Sequence, residues 1–120
     1  MKKLTPEQEA VCWASATEAP FSGIYNDHYE EGTYYCVACD TPLYSSKAKF
    51  KSGCGWPSFS GGLAEGIIEE IEDLTHGMRR VEIKCNNCKS HLGHSFPDGP
   101  LPSGIRHCVN SLSLDFTPKD

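Results

Sequence analysis

The chain has 120 residues, a formal net charge of −5 and an isoelectric point near 5.5. This length predicts a single domain over residues 1–120, and the acidic balance argues against nucleic acid or an anionic membrane as a partner. Eleven glycines and eight prolines, without a long helical pattern of apolar residues, favour a mainly β fold with many turns.

The N-terminal residues and the cysteine content both bear on the cellular compartment. Residues 1–7 begin basic and then become polar and acidic, where a signal peptide needs an apolar core. No apolar run approaches the length of a membrane span. Of the seven cysteines, four form two C-x-x-C pairs, a usage typical of metal or redox chemistry in a reducing environment. We therefore expect a cytoplasmic protein with no membrane partner, and a monomer.

The first predicted element is a short helix. Thr5 has the position of an N-cap, Pro6 that of the first helical residue, and Gln8 that of the partner in a capping box. Residues 17–20 end with a proline, which disfavours helix at the residue before it. The helix should therefore end between residues 14 and 16, and we interpret Cys12 on it as a packing residue.

Four later segments have the composition of strands. Residues 33–37 and 80–85 each run directly into a C-x-x-C pair, and residues 80–85 and 111–116 alternate polar and apolar side chains. Residues 67–73 fit either a strand or a short helix, of which we favour the strand. Residues 97–104 contain too many prolines and glycines for regular structure and predict a loop.

The charged clusters are interpreted as solvated surface rather than as a nucleic-acid patch. They are the acidic residues Glu69, Glu70, Glu72 and Asp73, the pair Arg79 and Arg80, and the lysines Lys47, Lys49 and Lys51.

Four cysteines have the spacing of a tetrahedral zinc site. Each C-x-x-C places two thiolates on one side of a tight turn, and four protein ligands leave no open coordination position. The sequence thus predicts one structural zinc ion per chain. The alternative is two independent thioredoxin-like dithiols, for which no βαβ context is visible. The predicted ligands are Cys36, Cys39, Cys85 and Cys88.

Cys108 stands outside the paired cysteines and is the candidate nucleophile. Arg106 and His107 flank it, and a guanidinium or imidazolium nearby favours the reactive thiolate. The alternative is a small buried hydrophobic residue in a strand. Cys54, between two glycines and close to Trp56, has a position that suits close approach better than core packing. The two cysteines could form a redox pair if the fold brings them together.

His91 and His94 are candidate proton donors or hydrogen-bond partners. Their spacing from the second C-x-x-C pair also fits metal ligands, but four cysteines already fill a zinc shell. A purely structural role is the other alternative. Two histidines within four residues, upstream of a candidate nucleophile, favour the functional interpretation.

Six motifs together closely resemble the peptide methionine (R)-S-oxide reductases, the B-type methionine sulfoxide reductases. The similarity covers nearly all of the chain after about residue 20 and keeps the order and spacing of the motifs. They are residues 20–23 (PFSG), 53–59 (GCGWPSF), 76–80 (HGMRR), 91–94 (HLGH), 98–100 (DGP) and 106–111 (RHCVNS).

The resemblance implies a mainly β fold with two small antiparallel sheets, a short N-terminal helical region and zinc on the paired C-x-x-C turns. It also implies a reaction sequence. The Cys108 thiolate attacks the sulfur of methionine sulfoxide, methionine departs, and Cys108 becomes a sulfenic acid. Cys54 then forms a disulfide with Cys108, which thioredoxin reduces.

The same resemblance assigns a substrate pocket. Trp56 would meet the methyl group of the substrate, Phe96 would complete the wall, and Arg106 would hold the thiolate. The residues expected to hydrogen-bond to the sulfoxide oxygen or an associated water are His91, His94 and Asn110. Two positions depart from the family's usual pattern: His107 stands where an aromatic residue is usual, and Ser95 where valine is common.

Two other functions compete with this reading. A zinc-ribbon interaction module would explain the C-x-x-C turns but leaves Cys54, Cys108 and the two histidines without a role. A general thiol–disulfide oxidoreductase or peroxidase would use both cysteines but does not explain the loop around Trp56.

Overall fold

The computed structural model describes residues 3–74 and 80–119, so the predicted motif at 76–80 lies outside the described residues except for Arg80. The helix and strands are α1 (Pro6–Ala14), β1 (Gly32–Cys36), β2 (Pro42–Ser45), β3 (Lys49–Phe50), β4 (Ser58–Phe59), β5 (Ile68–Asp73), β6 (Arg80–Cys85), β7 (His91–Phe96), β8 (Arg106–Val109) and β9 (Leu114–Pro118). In these residues no helix is long and apolar enough to cross a membrane.

The strands form two antiparallel sheets, as the resemblance to the reductase family implied. The smaller sheet has three strands in the order β2-β1-β9, and the larger has six in the order β3-β4-β8-β7-β6-β5. Every pairing is antiparallel. The strand preferred for residues 67–73 is confirmed, because β5 forms the edge of the larger sheet beside β6.

Helix α1 begins with the predicted capping box. The Thr5 hydroxyl accepts a hydrogen bond from the Gln8 amide, while the Gln8 side chain accepts one from the Thr5 amide. Ser15 ends the helix in a left-handed conformation with φ of 58°. Cys12 is 2% exposed, in agreement with a packing residue, and burial raises the pKa of its thiol to about 12.

Two local predictions were wrong. The strand predicted over residues 111–116 starts only at Leu114, because Ser111–Ser113 forms a 3-10 turn closed by a hydrogen bond from the Ser113 amide to the Asn110 carbonyl. Lys49 is not solvated surface: it is 9% exposed, and its ammonium lies over the Tyr29 ring and donates to the Asn26 carbonyl. Such long side chains bury their methylene groups when the charged end finds partners.

The core consists of side chains from both sheets. Tyr44 of β2 stacks on Phe59 of β4 with ring centroids 4.2 Å apart, and Tyr34 of β1 meets Phe59 edge-on at 5.1 Å. All three rings are fully buried, together with Ile83, Leu92 and Val109 of the larger sheet. Burial of large aromatic side chains contributes strongly to core stability. The core therefore covers one face of the larger sheet, and the opposite face remains available for a functional site.

The centre of the larger sheet depends on a glycine. A Cβ atom at Gly93 of β7 would overlap the backbone carbonyl oxygen of Cys108 on β8. The absence of a side chain therefore allows the two strands to pair closely beside Cys108.

Gly93→Ala should lower the free energy of unfolding by about 2 kcal/mol, because the added methyl group must push β7 and β8 apart. Urea denaturation measures the effect. Gly61→Ala is the matched control, since a Cβ there meets nothing within 4 Å. Equal stability of the two variants would contradict the close approach.

Candidate active site and metal centre

The register of the larger sheet assembles the candidate site. Cys108 of β8 lies opposite Ser58 of β4 on one side and opposite His94 of β7 on the other, and His94 in turn lies opposite Glu82 of β6. Directly opposed residues on antiparallel strands present their side chains on the same face. The predicted nucleophile and the predicted proton donor are therefore cross-strand neighbours.

A β-bulge brings the second histidine to the same side. In a regular strand, residues three apart would point to opposite faces. Here the β6–β7 register shifts so that Ile83 pairs with Gly93 but Lys84 pairs with His91, which leaves Leu92 as the extra residue. His91 and His94 consequently have ring centroids 5.8 Å apart, while Leu92 packs in the core.

Each histidine is paired with a carboxylate that the sequence analysis did not assign to the site. His91 Nδ1 lies 2.7 Å from Glu82 Oε2, and His94 Nε2 lies 2.9 Å from Asp73 Oδ2. Asp73, predicted to be surface, also forms an ion pair with Arg80 across the β5–β6 pairing. The alternation of polar and apolar residues over 80–85 could have indicated that Glu82 lies on the polar face of its strand. No sequence signal points to Asp73.

His91 is the more buried of the two histidines, at 2% exposed. Burial lowers its pKa despite the nearby Glu82 carboxylate, so the imidazole is neutral at pH 7. Because a carboxylate only accepts, Nδ1 carries the proton and Nε2 is an acceptor. That nitrogen has no hydrogen-bond partner among the described residues.

The two cysteines left over by the metal prediction meet. Cys54 Sγ lies 3.3 Å from Cys108 Sγ, although 54 positions separate them in the chain. Gly53 and Gly55, on either side of Cys54, both have positive φ values of 76° and 98°, a backbone that other residues rarely adopt. The glycines thus allow the tight loop that presents Cys54 to Cys108.

The environments of the two thiols differ. Burial by itself would raise the pKa of Cys54, but hydrogen bonds involving Ser52, Ser58 and the Trp56 backbone lower it to about 7. Burial, reinforced by the adjacent Cys54, raises the pKa of Cys108 to about 12. The two sulfur atoms titrate as a coupled pair, and the hydrogen bonds around Cys54 favour placing the first negative charge there.

Arg106 acts on Cys108 more weakly than the sequence suggested. Its guanidinium makes a two-pronged hydrogen bond with Asp98, at 2.9 and 3.2 Å, and lies 4.4 Å from the centre of the Phe96 ring. The hydrogen bond from Arg106 lowers the pKa of Asp98. The arginine also lowers the pKa of Cys108, but desolvation of the thiol outweighs it.

His107 does not assist the thiolate. It lies on the opposite face of β8 from Cys108, is 4% exposed, and has Nδ1 3.0 Å from the Tyr44 hydroxyl. Burial lowers its pKa to about 4, so the ring is neutral. An imidazolium from His107 therefore does not stabilise the Cys108 thiolate, and His107 is a core residue packed edge-on against Tyr44.

A cavity of about 110 Å³ opens beside Cys108 and gathers most of the predicted pocket. His91 lies instead on a neighbouring cavity that shares Thr17, Arg80 and His94 with the first. Four predicted site residues line the first cavity with Cys108: Trp56, His94, Phe96 and Asn110.

Asn110 and Trp56 are both held by a residue that the sequence analysis did not single out. The Asn110 amide oxygen accepts from the Glu18 backbone amide at 3.0 Å, and its nitrogen donates to the Leu92 carbonyl at 3.0 Å. The Trp56 indole donates to the Glu18 carbonyl at 3.0 Å. These contacts set the orientation of the amide and the indole in the cavity.

The four predicted metal ligands lie close enough to hold a metal ion. Their sulfur atoms are all within 4.8 Å of one another, with Cys36 and Cys88 3.6 Å apart and Cys39 and Cys85 3.7 Å apart. Each close contact joins one C-x-x-C turn to the other, so a bound ion would connect β1 of the smaller sheet to β6 of the larger.

The two C-x-x-C turns are built in the same way. In the first, the Asp40 amide donates to the Cys36 carbonyl, and in the second the Lys89 amide donates to the Cys85 carbonyl. Asp40 and Lys89 both adopt left-handed conformations, with φ of 63° and 67°. One turn geometry therefore presents both pairs of sulfur atoms.

Comparison with known proteins finds a matching family model and similar curated proteins. The SelR domain family model matches residues 4–118. Two curated proteins called peptide methionine sulfoxide reductase MsrB, from Pseudomonas fluorescens (strain Pf0-1) and Pseudomonas entomophila (strain L48), are each 54% identical over 98% of this chain and 89% of their own length. A protein of the same name from Thioalkalivibrio sulfidiphilus is 52% identical over 96% of this chain and 84% of its own.

The unequal acidities predict an order of alkylation. In the reduced protein, iodoacetamide should modify Cys54 faster than Cys108, with a rate that rises through about pH 7, because only the thiolate is nucleophilic and hydrogen bonds favour it at Cys54. Peptide mass spectrometry after short labelling at a series of pH values measures both. Ser52→Ala should move the Cys54 midpoint upward, and preferential labelling of Cys108 at neutral pH would contradict the assignment.

Proposed function

Since the chain belongs to the SelR domain family, with peptide methionine sulfoxide reductases MsrB among its relatives, we propose that it reduces the R epimer of peptide-bound methionine sulfoxide and so repairs oxidised proteins. The observation that carries the proposal is the contact of 3.3 Å between the sulfur atoms of Cys54 and Cys108 at the wall of the cavity that holds Trp56. A zinc-ribbon interaction module has no use for this sulfur pair.

The first step transfers an oxygen atom. The Cys108 proton passes to Cys54 across their contact, which creates a Cys108 thiolate within reach of the Arg106 charge. This thiolate attacks the substrate sulfur and forms a sulfur–sulfur bond while an acid protonates the sulfoxide oxygen. The hydroxyl group then passes from the substrate sulfur to the Cys108 sulfur as the sulfur–sulfur bond breaks. Methionine sulfoxide is reduced by two electrons and leaves as methionine, and Cys108 is oxidised by two electrons to a sulfenic acid. His94 is the proposed acid, because it lies opposite Cys108 across the β7–β8 pairing.

The second step removes the sulfenic acid. Cys54 gives up the proton that it received from Cys108, and its thiolate attacks the Cys108 sulfur. A disulfide forms as the sulfur–oxygen bond breaks, and the hydroxyl group leaves as water with that proton. The lowered pKa of Cys54 supports this role because the resolving cysteine must be deprotonated to attack. Two thiols of a dithiol protein then reduce the disulfide, and thioredoxin in the cytoplasm is the proposed reductant.

The pocket walls give a reason for the choice of epimer. Trp56 and Phe96 offer apolar surface for the methyl group, while His94 and the Asn110 amide offer polar groups for the sulfoxide oxygen or an associated water. The opposite epimer would exchange oxygen and methyl. It would place the oxygen on the indole and leave buried polar groups unpaired, at a cost of about 1–3 kcal/mol per group.

The proposed metal is one structural zinc ion bound by Cys36, Cys39, Cys85 and Cys88. A tetrahedral ion with zinc–sulfur bonds near 2.3 Å needs sulfur atoms about 3.8 Å apart. The 3.6 and 3.7 Å contacts between the two turns fit this shell. When bound, zinc supplies a cross-link that holds the two sheets together as one domain, and it takes no part in the redox chemistry.

The proposed reaction is tested with separated R and S epimers of a methionine sulfoxide peptide and dithiothreitol as reductant. The R epimer should be reduced and the S epimer should react at a rate lower by at least about tenfold, for the stereochemical reason given above. Chromatography of the methionine product measures both rates. Equal rates on the two epimers, or no reaction with R, would refute the proposed specificity.

Two variants test the residue roles in the same assay. Cys54→Ser should still release one equivalent of methionine per chain but lose turnover driven by thioredoxin, whereas Cys108→Ser should release none. Cys12→Ser is the matched control, because that thiol is buried in the core, and it should behave as the unmodified protein. Unchanged turnover in Cys54→Ser would show that another thiol resolves the sulfenic acid.

The zinc assignment predicts one zinc ion per chain by elemental analysis. Cys36→Ser should lose most of the metal and lower the midpoint of thermal unfolding, because structural zinc contributes directly to folding. Cys12→Ser should keep its zinc. A Cys36→Ser protein with unaltered metal content would refute the four-cysteine site.

A further inference from the structure

Glu18 contacts three parts of the candidate site although it lies far from them in sequence. It belongs to the segment between α1 and β1, which has no regular structure around this residue. Its backbone amide donates to Asn110, its backbone carbonyl accepts from Trp56, and its carboxylate accepts from the Leu112 amide. The sequence separations are 92, 38 and 94 residues.

The side chain of Glu18 is the anchor of this arrangement. The residue is only 8% exposed, and Oε1 lies 3.0 Å from the Leu112 amide in the 3-10 turn that follows β8. A carboxylate accepting a backbone N–H makes a charge-assisted hydrogen bond, which is stronger than the two neutral bonds made by the Glu18 backbone. The Glu18 side chain therefore ties its backbone, and with it the contacts to Trp56 and Asn110, to the turn that follows β8.

The neighbouring residues connect the same two regions. The Phe21 amide donates to the Gly55 carbonyl, and the Tyr25 amide donates to the Ser111 hydroxyl at 3.2 Å. Residues 17–25, here called the strap, thus join the loop that carries Cys54 and Trp56 to the turn that follows Cys108. Within the strap, Glu18 is the residue that contacts both Trp56 and Asn110.

We propose that Glu18 is a positioning residue for the substrate pocket: its buried carboxylate anchors the strap on Leu112, and the strap in turn orients the Trp56 indole and the Asn110 amide. The part of this inference that concerns substrate rests on the proposed function. The part that concerns the orientation of Trp56 does not. Glu18 itself does not touch the reacting atoms, so it acts through Trp56 and Asn110.

The decisive comparison is between Glu18→Gln, which keeps an oxygen acceptor for the Leu112 amide, and Glu18→Ala, which removes it. Glu18→Asp is a second test should the alanine variant fold poorly, because its shorter side chain does not reach Leu112. Glu65→Ala is the matched control, since it removes the same charge from an exposed residue.

The first measurement does not require enzyme activity. The chain has two tryptophans, so Trp13→Phe leaves Trp56 as the sole indole fluorophore. In that background Glu18→Ala and Glu18→Asp should increase acrylamide quenching and shift the emission to longer wavelength, while Glu18→Gln and Glu65→Ala should match the parent. Unchanged quenching in both Glu18→Ala and Glu18→Asp would overturn the proposal.

The second measurement uses turnover of the R sulfoxide peptide with dithiothreitol. Glu18→Ala should raise KM by about tenfold or more with a smaller change in kcat, because misplaced pocket groups weaken substrate binding. A purely structural role would instead reduce kcat through a smaller folded fraction and leave KM unchanged. That result, or equal losses in Glu18→Gln and Glu18→Ala, would overturn the proposal. Inactivity of the parent protein would refute the proposed function and leave the fluorescence comparison to decide the role of Glu18.

Discussion

The pairing of β8 with β4 on one side and β7 on the other is the constraint on which the candidate site depends. It aligns Ser58, Cys108 and His94 across three strands, and Gly93 permits the approach of β7 by presenting no side chain to the Cys108 carbonyl. Because backbone hydrogen bonds fix this register, the positions of the reacting groups do not rely on flexible side chains finding one another. The loop with Cys54 and the strap with Glu18 contact this centre at Cys108 and at Asn110, respectively.

Burial shifts the pKa values of the thiol and of the imidazoles near this centre in opposite directions, and both shifts keep the groups uncharged. It raises the pKa of Cys108 and lowers the pKa values of His91 and His107. Charge is retained where hydrogen bonds compensate for desolvation, at Cys54 beside its two serines and at the pair formed by Arg106 and Asp98. The hydrogen bonds around Cys54 therefore favour negative charge on the sulfur next to the proposed nucleophile.

The local elements could be predicted from sequence because their causes are local. The capping box of Thr5 and Gln8 and the two C-x-x-C turns need only residues a few positions apart. The strand alternation of residues 80–85 likewise identified β6. By contrast, the bulge at Leu92, the Asp73 partner of His94 and the contacts of Glu18 depend on which strands become neighbours. Such proximity is absent from a single sequence, and the resemblance to a family supplied the residues of the pocket but not their supports.

The alternation of side chains along β8 places two pairs of residues in different surroundings on the two faces of the strand. Cys108 lines the cavity and Arg106 shares its face of the strand, whereas His107 and Val109 are buried in the core, where packing and hydrogen bonding constrain them. A substitution at 107 must therefore keep both the packing against Tyr44 and a partner for the Tyr44 hydroxyl, but it need not move the sulfur atom on the opposite face. The side chains on the two faces of this strand are therefore held by different contacts, so a change in the core behind it need not alter the thiol.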